Sequence, residues 1–547
     1  MNRSILLLAL ITTLPIVAQQ KLPPAEETID VSIVNVDVFV TDKKGRRVSG
    51  LTSDDFEIRE NGRVQPITNF AEYGSGASDA AAAAKAPHAK RTILVFIERF
   101  ALPNFRTEPL FTAIRKTLRE VVRPGDSAAV VFWDLDAAFT LQDFTDDLPS
   151  LEAALAEVEK QNTGAPGSND LMRQRALARS FLDNLPPERL RGRRTLDNFD
   201  LWDLRSNANF GLFRFERKAE ELQALMRSMS DEDGRKIVIF ATDDFGLYPE
   251  TMAFSGELAQ LNRAEYGTTQ YREAVARTAN EHNITIYPFY PVGLELTPMV
   301  SAAENRPDIF ASQQRIDPRM ARDFEVLVNQ TAALDELAKE TGGLMASGAT
   351  EIVSVLPEVA QDLETYYSLA YRTPDTGTTK SRDIIVRAKK RDYTVRTRRE
   401  YVEKTDVTRM QDRVIANLYR PDGKGRIPLD VDLGAIEKER KHWTVPVRIR
   451  IPIEALSIGR NDTGTFSVFI ATGGILGIMS DVERRTQPFS FADIAPEQTH
   501  FTYDFTMRFN GATSTVSIGV FDERTKDFGL QTVDLPAFHK ELRAGGE

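Results

Sequence analysis

Cysteine is absent from all 547 residues. That excludes disulfide frameworks, thiolate metal sites, cysteine nucleophiles and a lipid-anchored N-terminal cysteine. Histidine is scarce: His88, His282, His442, His500 and His539 are scattered, and no His-Glu-x-x-His pair offers a zinc hydrolase site. Neither a Gly-x-Ser-x-Gly nucleophile elbow nor a Gly-x-x-x-x-Gly-Lys phosphate loop occurs. "ATDDFG" holds Asp-Phe-Gly without the other kinase elements, and "EKQNTGAPGSND" lacks the context of a nucleotide fingerprint. No enzymatic activity is therefore expected. A basic surplus is missing too, since the formal net charge is -11, which argues against a general nucleic-acid binder. Beyond the N-terminus no apolar run is long enough to span a bilayer, so no transmembrane anchor is expected in the mature chain.

What is present begins with Arg3, an apolar run from Ile5 to Val17, Ala18 and then the polar "QQKLPPAEE". A short positive start, about a dozen apolar residues and a small residue at the exit describe a secretory signal peptide over residues 1–18. The mature chain is then expected in the periplasm or outside the cell. At 41% hydrophobic and 27% charged the composition is globular, and the length implies two to four domains.

Residues 28–73 read as a small β unit. Val34, Val36, Val38 and Val40 alternate with Asn35, Asp37, Phe39 and Thr41, Val31 and Ile33 fall in the opposite phase, and a bulge or face switch is expected near Ile33–Val34. Asn61-Gly62 between Phe56/Ile58 and Val64/Ile67 signals a two-residue hairpin. Residues 74–90, small and without an apolar face, read as a linker.

From Arg91 to about residue 372 four nearly continuous apolar runs, Thr92–Ile97, Ala128–Trp133, Ile237–Ala241 and Ile284–Tyr290, suit strands covered on both faces. Helical spacing separates them at Leu110–Val122, Leu151–Val158 and Phe213–Met229, with further helices at Tyr271–His282 and Gln330–Glu340. A last helix is expected from about Pro357, carrying Tyr366 and Tyr367. Residues 164–212, Arg-dense and Pro-containing, read as a surface insertion. Strands resume over 373–402, and residues 403–547 read as strands without intervening helices, the cleanest being the alternation from Trp443 to Ile453.

In an open parallel sheet ligands bind outside the carboxyl ends of the strands. Glu98, the pair Asp134 and Asp136, and the pair Asp243 and Asp244 fall at such ends, and clustered carboxylates suit a hard cation or cap helices. The chain from 28 to 402 resembles the secreted bacterial von Willebrand factor A-related proteins of acidobacterial type. The matching stretches, in order, are "VDVFVTDKKGRRVSGLTSDDFEIRENG", "VRPGDSAAVVFW", "LQDFTDD", "GRKIVIFATDDFG", "LAKETGG", "DLETYYSLAYRTPD" and "YTVRTRREYV". The resemblance implies an α/β fold, a von Willebrand A-like doubly wound, mostly parallel sheet flanked by small β elements, with a C-terminal β-sandwich domain. It also implies a metal-ion-dependent adhesion site with the pattern Asp-x-Ser-x-Ser after the first strand, a Thr from a later loop and a later Asp.

Mapped onto that pattern, Glu98 stands for the Asp, Phe100 and Leu102 for the two Ser, and Asp243 for the later Asp, with Asp244 replacing the usual Gly. The Thr maps to Thr163, with Thr145 the second choice. Phe and Leu supply no oxygen and Glu is a methylene too long, so the pattern leaves at most weak Ca2+ or Mg2+ binding and no other cofactor. Arg99 offers a carboxylate partner that would turn the edge into a self-satisfied polar cluster. The expected role is recognition of an unidentified protein partner through the face carrying Glu98, Phe100, Leu102, Asp134, Asp243 and Asp244. The alternatives are a structural component of the cell envelope, a divalent-dependent adhesin, and a hydrolase using Asp134 and Asp136. Exposure of Phe100 and Leu102 favours recognition, and their burial favours the structural role.

Overall fold

The computed structural model describes residues 31–74, 90–100, 104–134, 137–163, 198–230, 234–248, 267–291, 318–374, 377–419, 421, 425–439, 442–457, 462–474, 480–490, 492, 497–509 and 513–535. The expected signal segment, most of the linker, Leu102, Asp136 and residues 164–197 of the expected insertion lie outside them. Four strands open the described chain: β1 (Val31–Thr41), β2 (Phe56–Glu60), β3 (Arg63–Gln65) and β4 (Ile67–Tyr73). The β2–β3 hairpin turns on Asn61 and Gly62, whose φ values of 46 and 78° fit the left-handed geometry a two-residue loop requires.

The α/β unit follows with β5 (Arg91–Glu98), α1 (Asn104–Val121), β6 (Ser127–Asp134), β7 (Ala137–Thr145), α2 (Leu148–Thr163), α3 (Asn198–Ser228), β8 (Arg235–Ala241), α4 (Thr269–Glu281), β9 (Ile284–Tyr290), α5 (Pro318–Thr341), β10 (Ala346–Ser347) and α6 (Ala349–Glu364). The sheet runs β10-β9-β8-β5-β6-β7, parallel throughout except for the edge strand β7. Along β5, Ile93, Val95 and Ile97 meet residues of α1, α2 and α6, while Leu94 and Phe96 meet α3, α4 and α5. Both faces are covered, which is why the strand shows no polar alternation. Burial of each such side chain contributes about 1.5–3 kcal/mol.

Several helix boundaries differ from expectation; α5 begins at Pro318, well before the expected Gln330. The helix expected from Phe213 begins at Asn198, so the last part of the expected insertion is its first half. The helix expected from Pro357 begins at Ala349, because Ile352, Leu356, Val359 and Leu363 carry its buried stripe upstream of the proline. Pro357 and Val353 both lie on its exposed side, where the carbonyl that loses its partner meets water. Tyr366 and Tyr367 leave that helix and open a strand.

That strand, β11 (Tyr366–Pro374), precedes β12 (Lys380–Ala388), β13 (Thr394–Arg396) and β14 (Glu400–Glu403). They interleave with the first four strands as two sheets, β13-β1-β11-β4 and β14-β12-β2-β3. Between them lies one core of Val34, Val36, Val38, Val40, Phe56, Ile58, Tyr367, Leu369, Tyr371, Ile384 and Val386. The β1–β11 register is unbroken from Val31 to Val38, so no bulge occurs near Ile33; Ile33 simply faces outward.

A helix not anticipated in the sequence, α7 (Asp406–Tyr419), comes next. The remaining strands are β15 (Asp430–Leu433), β16 (Glu437–Glu439), β17 (His442–Pro452), β18 (Thr463–Gly474), β19 (Glu483–Ser490), β20 (His500–Phe509), β21 (Thr513–Asp522) and β22 (Phe528–Asp534). One antiparallel sheet has β15 and β16 on one side of β17 and β20 on the other; the second runs β19-β18-β21-β22. Val445, Val447, Ile449 and Ile451 of the first share a core with Phe466, Val468, Val516, Ile518 and Val520 of the second. On the far side of the second sheet, Met410 and Val414 of α7 pack against Phe469, Phe521 and Leu530. Among the described residues no helix is long and apolar enough to cross a membrane.

Candidate functional site

The strand order reverses between β5 and β8: from β5 the chain crosses first to β6, and β8 then takes the other flank. Ligands of doubly wound sheets bind outside the carboxyl ends at such a switch point. Glu98 ends β5, and Thr242, Asp243 and Asp244 follow β8, so topology brings them to one place.

The Glu98 carboxylate is 1% exposed and fully engaged. Its Oε1 accepts a 2.6 Å bond from Nζ of Lys218, and its Oε2 accepts from the Thr242 hydroxyl and, at 3.2 Å, from the Asp243 amide. The Lys218 ammonium, equally buried, also donates to the Asp244 carbonyl at 2.8 Å and approaches the Thr242 hydroxyl at 3.5 Å. Three acceptors thus face its three N–H groups. Burial pushes the Glu98 carboxyl up; Lys218 opposes this, and the nearby Asp243 and Asp244 carboxyls add to the rise.

The loop after β8 is held from α5. Gln330 accepts from the Phe245 amide at 2.7 Å, and Asn329 exchanges bonds with Tyr248 at 2.9 and 3.2 Å. Phe245 stacks on Phe215 of α3 at 4.5 Å between ring centroids, so one helix supplies both Lys218 and an aromatic anchor. A Cβ at Gly246 would lie 2.4 Å from the Asn329 amide nitrogen, so a larger residue there must displace the side chain that holds Tyr248.

Beside this group stands a second closed cluster. Arg99 grips Asp134 with two bonds, at 2.5 and 2.8 Å, and donates to the Gln161 carbonyl of α2. Asp134 is thereby joined to Arg99, as the self-satisfied reading of the edge expected. The chain then turns inward: the Phe100 amide donates to the Asn162 side chain at 2.7 Å, and the Phe100 ring is fully buried with α1.

The expected site residues therefore separate. Glu98, Asp243 and Asp244 meet, and Asp134 belongs to the neighbouring ion pair. Phe100 is corrected from a contact residue to a core residue, since no part of its ring reaches the surface. Leu102 lies outside the described residues, and Thr163 closes α2 with its side chain outside them. Thr145 is excluded from the edge because it pairs with Ala128, at the opposite end of the sheet. Two members were missed: Thr242, within the quoted "ATDDFG", and Lys218, borne on a helix far away in sequence.

The adhesion-site pattern implies a divalent ion, and these residues do not fit one. The oxygens of Glu98, Thr242 and Asp244 that would serve as ligands already surround the lysine ammonium. Among the described residues no group of three or more His, Asp or Glu is placed to hold a metal ion.

No family model matches the chain, and no curated protein matches it. Among solved structures, manganese-loaded TRAP protein of Plasmodium vivax is similar over 76% of this chain and 94% of its own, at 7% identity and a TM-score of 0.22. A structural-genomics target is similar over 20% of this chain and 87% of its own, at 11% identity and a TM-score of 0.14. Beta-glucuronidase 2 of Bacteroides uniformis is similar over 31% and 18%, at 10% identity and a TM-score of 0.13.

Proposed function

We propose that this chain is a secreted, non-enzymatic binding protein whose von Willebrand A-like domain recognises a protein partner at the carboxyl edge of its parallel sheet. The adhesion site there is degenerate and the recognition metal-independent, and the C-terminal pair of sheets is a β-sandwich. The observation that carries the reading is the closed Glu98–Lys218–Thr242 group at the switch point. It leaves the topological ligand site in place with its Glu98 carboxylate and Lys218 ammonium paired to each other.

Exposed aromatics supply the contact surface that Phe100 does not. Phe210 and Phe213 of α3 are 60% and 52% exposed and stand one to two turns upstream of Lys218, within about 12 Å along the helix. Phe139 of β7, 46% exposed, pairs with Phe132 near the same strand end. Exposed aromatics beside a polar cluster are the composition of a recognition hot spot. The test is capture from envelope extract or culture supernatant with the mature chain as bait, alongside a Phe210→Asp/Phe213→Asp variant. Loss of the captured protein in the variant is expected, and equal capture by both chains removes this face.

A second reading, a structural component without a ligand at the edge, is favoured by the burial of Phe100 and the internal pairing of Arg99 with Asp134. Failure of the wild-type chain to retain any partner, with the chain itself assembled into envelope material, would select it.

A further inference from the structure

The mismatch between the oxygen-rich sheet edge and a metal ion has a definite physical form. An ammonium buried without partners costs several kcal/mol, so a lysine at this depth must meet oxygens placed for it. Lys218 does so in three directions, reaching a carboxylate, a backbone carbonyl and a hydroxyl supplied by β5 and the loop after β8. Those are the hard oxygen donors that Mg2+, Mn2+ and Ca2+ also take. The lysine reaches them from α3, where it lies among Phe215, Ala219, Leu222 and Leu225 on the face turned to the sheet.

We infer that Lys218 is a tethered counter-cation, closing the edge to divalent metal in the native chain, and that removing its ammonium turns Glu98, Thr242 and Asp244 into a divalent-cation site. With the lysine gone, Glu98 is left buried among carboxylates with its balancing charge removed. The remaining donors then either take up a cation from solution or force the carboxyl to hold a proton. This inference rests on the edge geometry that the recognition reading uses but requires no partner, so the two fail independently.

The experiment compares four full chains, wild type, Glu98→Gln, Lys218→Met and Lys218→Met/Glu98→Gln, each titrated with MnCl2, MgCl2 and CaCl2 to millimolar concentration. Thermal unfolding and Mn2+ electron paramagnetic resonance are the readouts. The wild type is expected to show no saturable Mn2+ binding and no change in Tm. Lys218→Met is expected to unfold at lower temperature without metal and to recover several degrees as Mn2+ binds at one site per chain. The double variant, with the carboxylate neutralised, is expected to fold and to ignore metal. Lys218→Met that folds yet binds no metal overturns the inference, as does wild-type binding of Mn2+ that Glu98→Gln abolishes. Should Lys218→Met fold only when refolded with millimolar Mn2+, the inference stands; failure to fold with metal present overturns it.

Discussion

Phe100 leaves β5 directly after the Glu98–Arg99 pair and carries its ring into the core shared by α1, α2 and α6. The Phe100→Ala substitution is expected to cost about 3–5 kcal/mol of stability, read by urea unfolding, because a buried ring is removed from a covered face. A surface anchor would instead lose binding and keep its stability, so the pair of measurements separates the roles. Gly343 is equally constrained by contact: a Cβ there would lie 1.8 Å from the Ile286 carbonyl oxygen of β9. Gly343→Ala must push that strand aside, and a fall in Tm of several degrees is expected by calorimetry. Neither effect was readable from residue type alone. Lys218 was more nearly legible, since it lies three residues after Phe215 and four before Leu222, inside an apolar stripe. A charge within such a stripe signals a buried partner. The surrounding "FERKAEELQ" reads instead as a solvated face, which hid it.

At the scale of elements, the doubly covered strands were legible because burial on both faces removes alternation, as in β5, β6, β8 and β9. Boundaries failed where two periods overlap. Tyr366 and Tyr367 continue the helical spacing of Leu356, Val359 and Leu363, yet β4 pairs with both and β1 with Tyr367, which fixes them as strand. Helix α7 was missed because it lies in a region dominated by alternating strands, although Met410, Val414 and Leu418 repeat at helical spacing. Its docking onto α3 contains a titratable contact. Glu221 is buried, with Tyr419 of α7 donating to it at 3.3 Å, and burial pushes its carboxyl up to about 7. Arg217 and Tyr419 oppose the rise, and Glu220 adds to it. An acid raised in the folded state contributes stability that is full below its ordinary value of 4.5 and lost as pH rises through about 7. Between pH 5 and pH 8 the wild type is therefore expected to lose on the order of 3 kcal/mol more than Glu221→Gln, measured by denaturant unfolding at each pH. Equal pH profiles for the two chains would refute the contact's role.

At the scale of the whole molecule, the α/β unit lies in sequence between two strand groups that fold together. β1 and β4 flank β11, and β2 pairs with β12, so each group completes the other's sheets. The join to the α/β unit is ionic and aromatic. Arg235 and Arg396 stack over Phe39 at 4.6 and 4.5 Å, while Asp362 of α6 receives Arg47, Arg396 and the Tyr287 hydroxyl. Asp362 has no access to solvent, so Asp362→Ala leaves two guanidinium groups near a core without their counter-charge and is expected to cost about 3–5 kcal/mol. Deleting residues 31–74 is more severe, because it uncovers Tyr367, Leu369, Tyr371, Ile384 and Val386 and frees both edges of β11. Exposed apolar strands with open edges pair with one another, so the shortened chain is expected to elute as aggregate in size-exclusion chromatography. Co-expression of residues 28–74 as a separate peptide should return it to a monomeric elution volume, since the strands meet by pairing and not through the linker. A monomeric, cooperatively unfolding chain without residues 31–74 would show instead that the α/β unit stands alone and that the flanking sheets are an independent body.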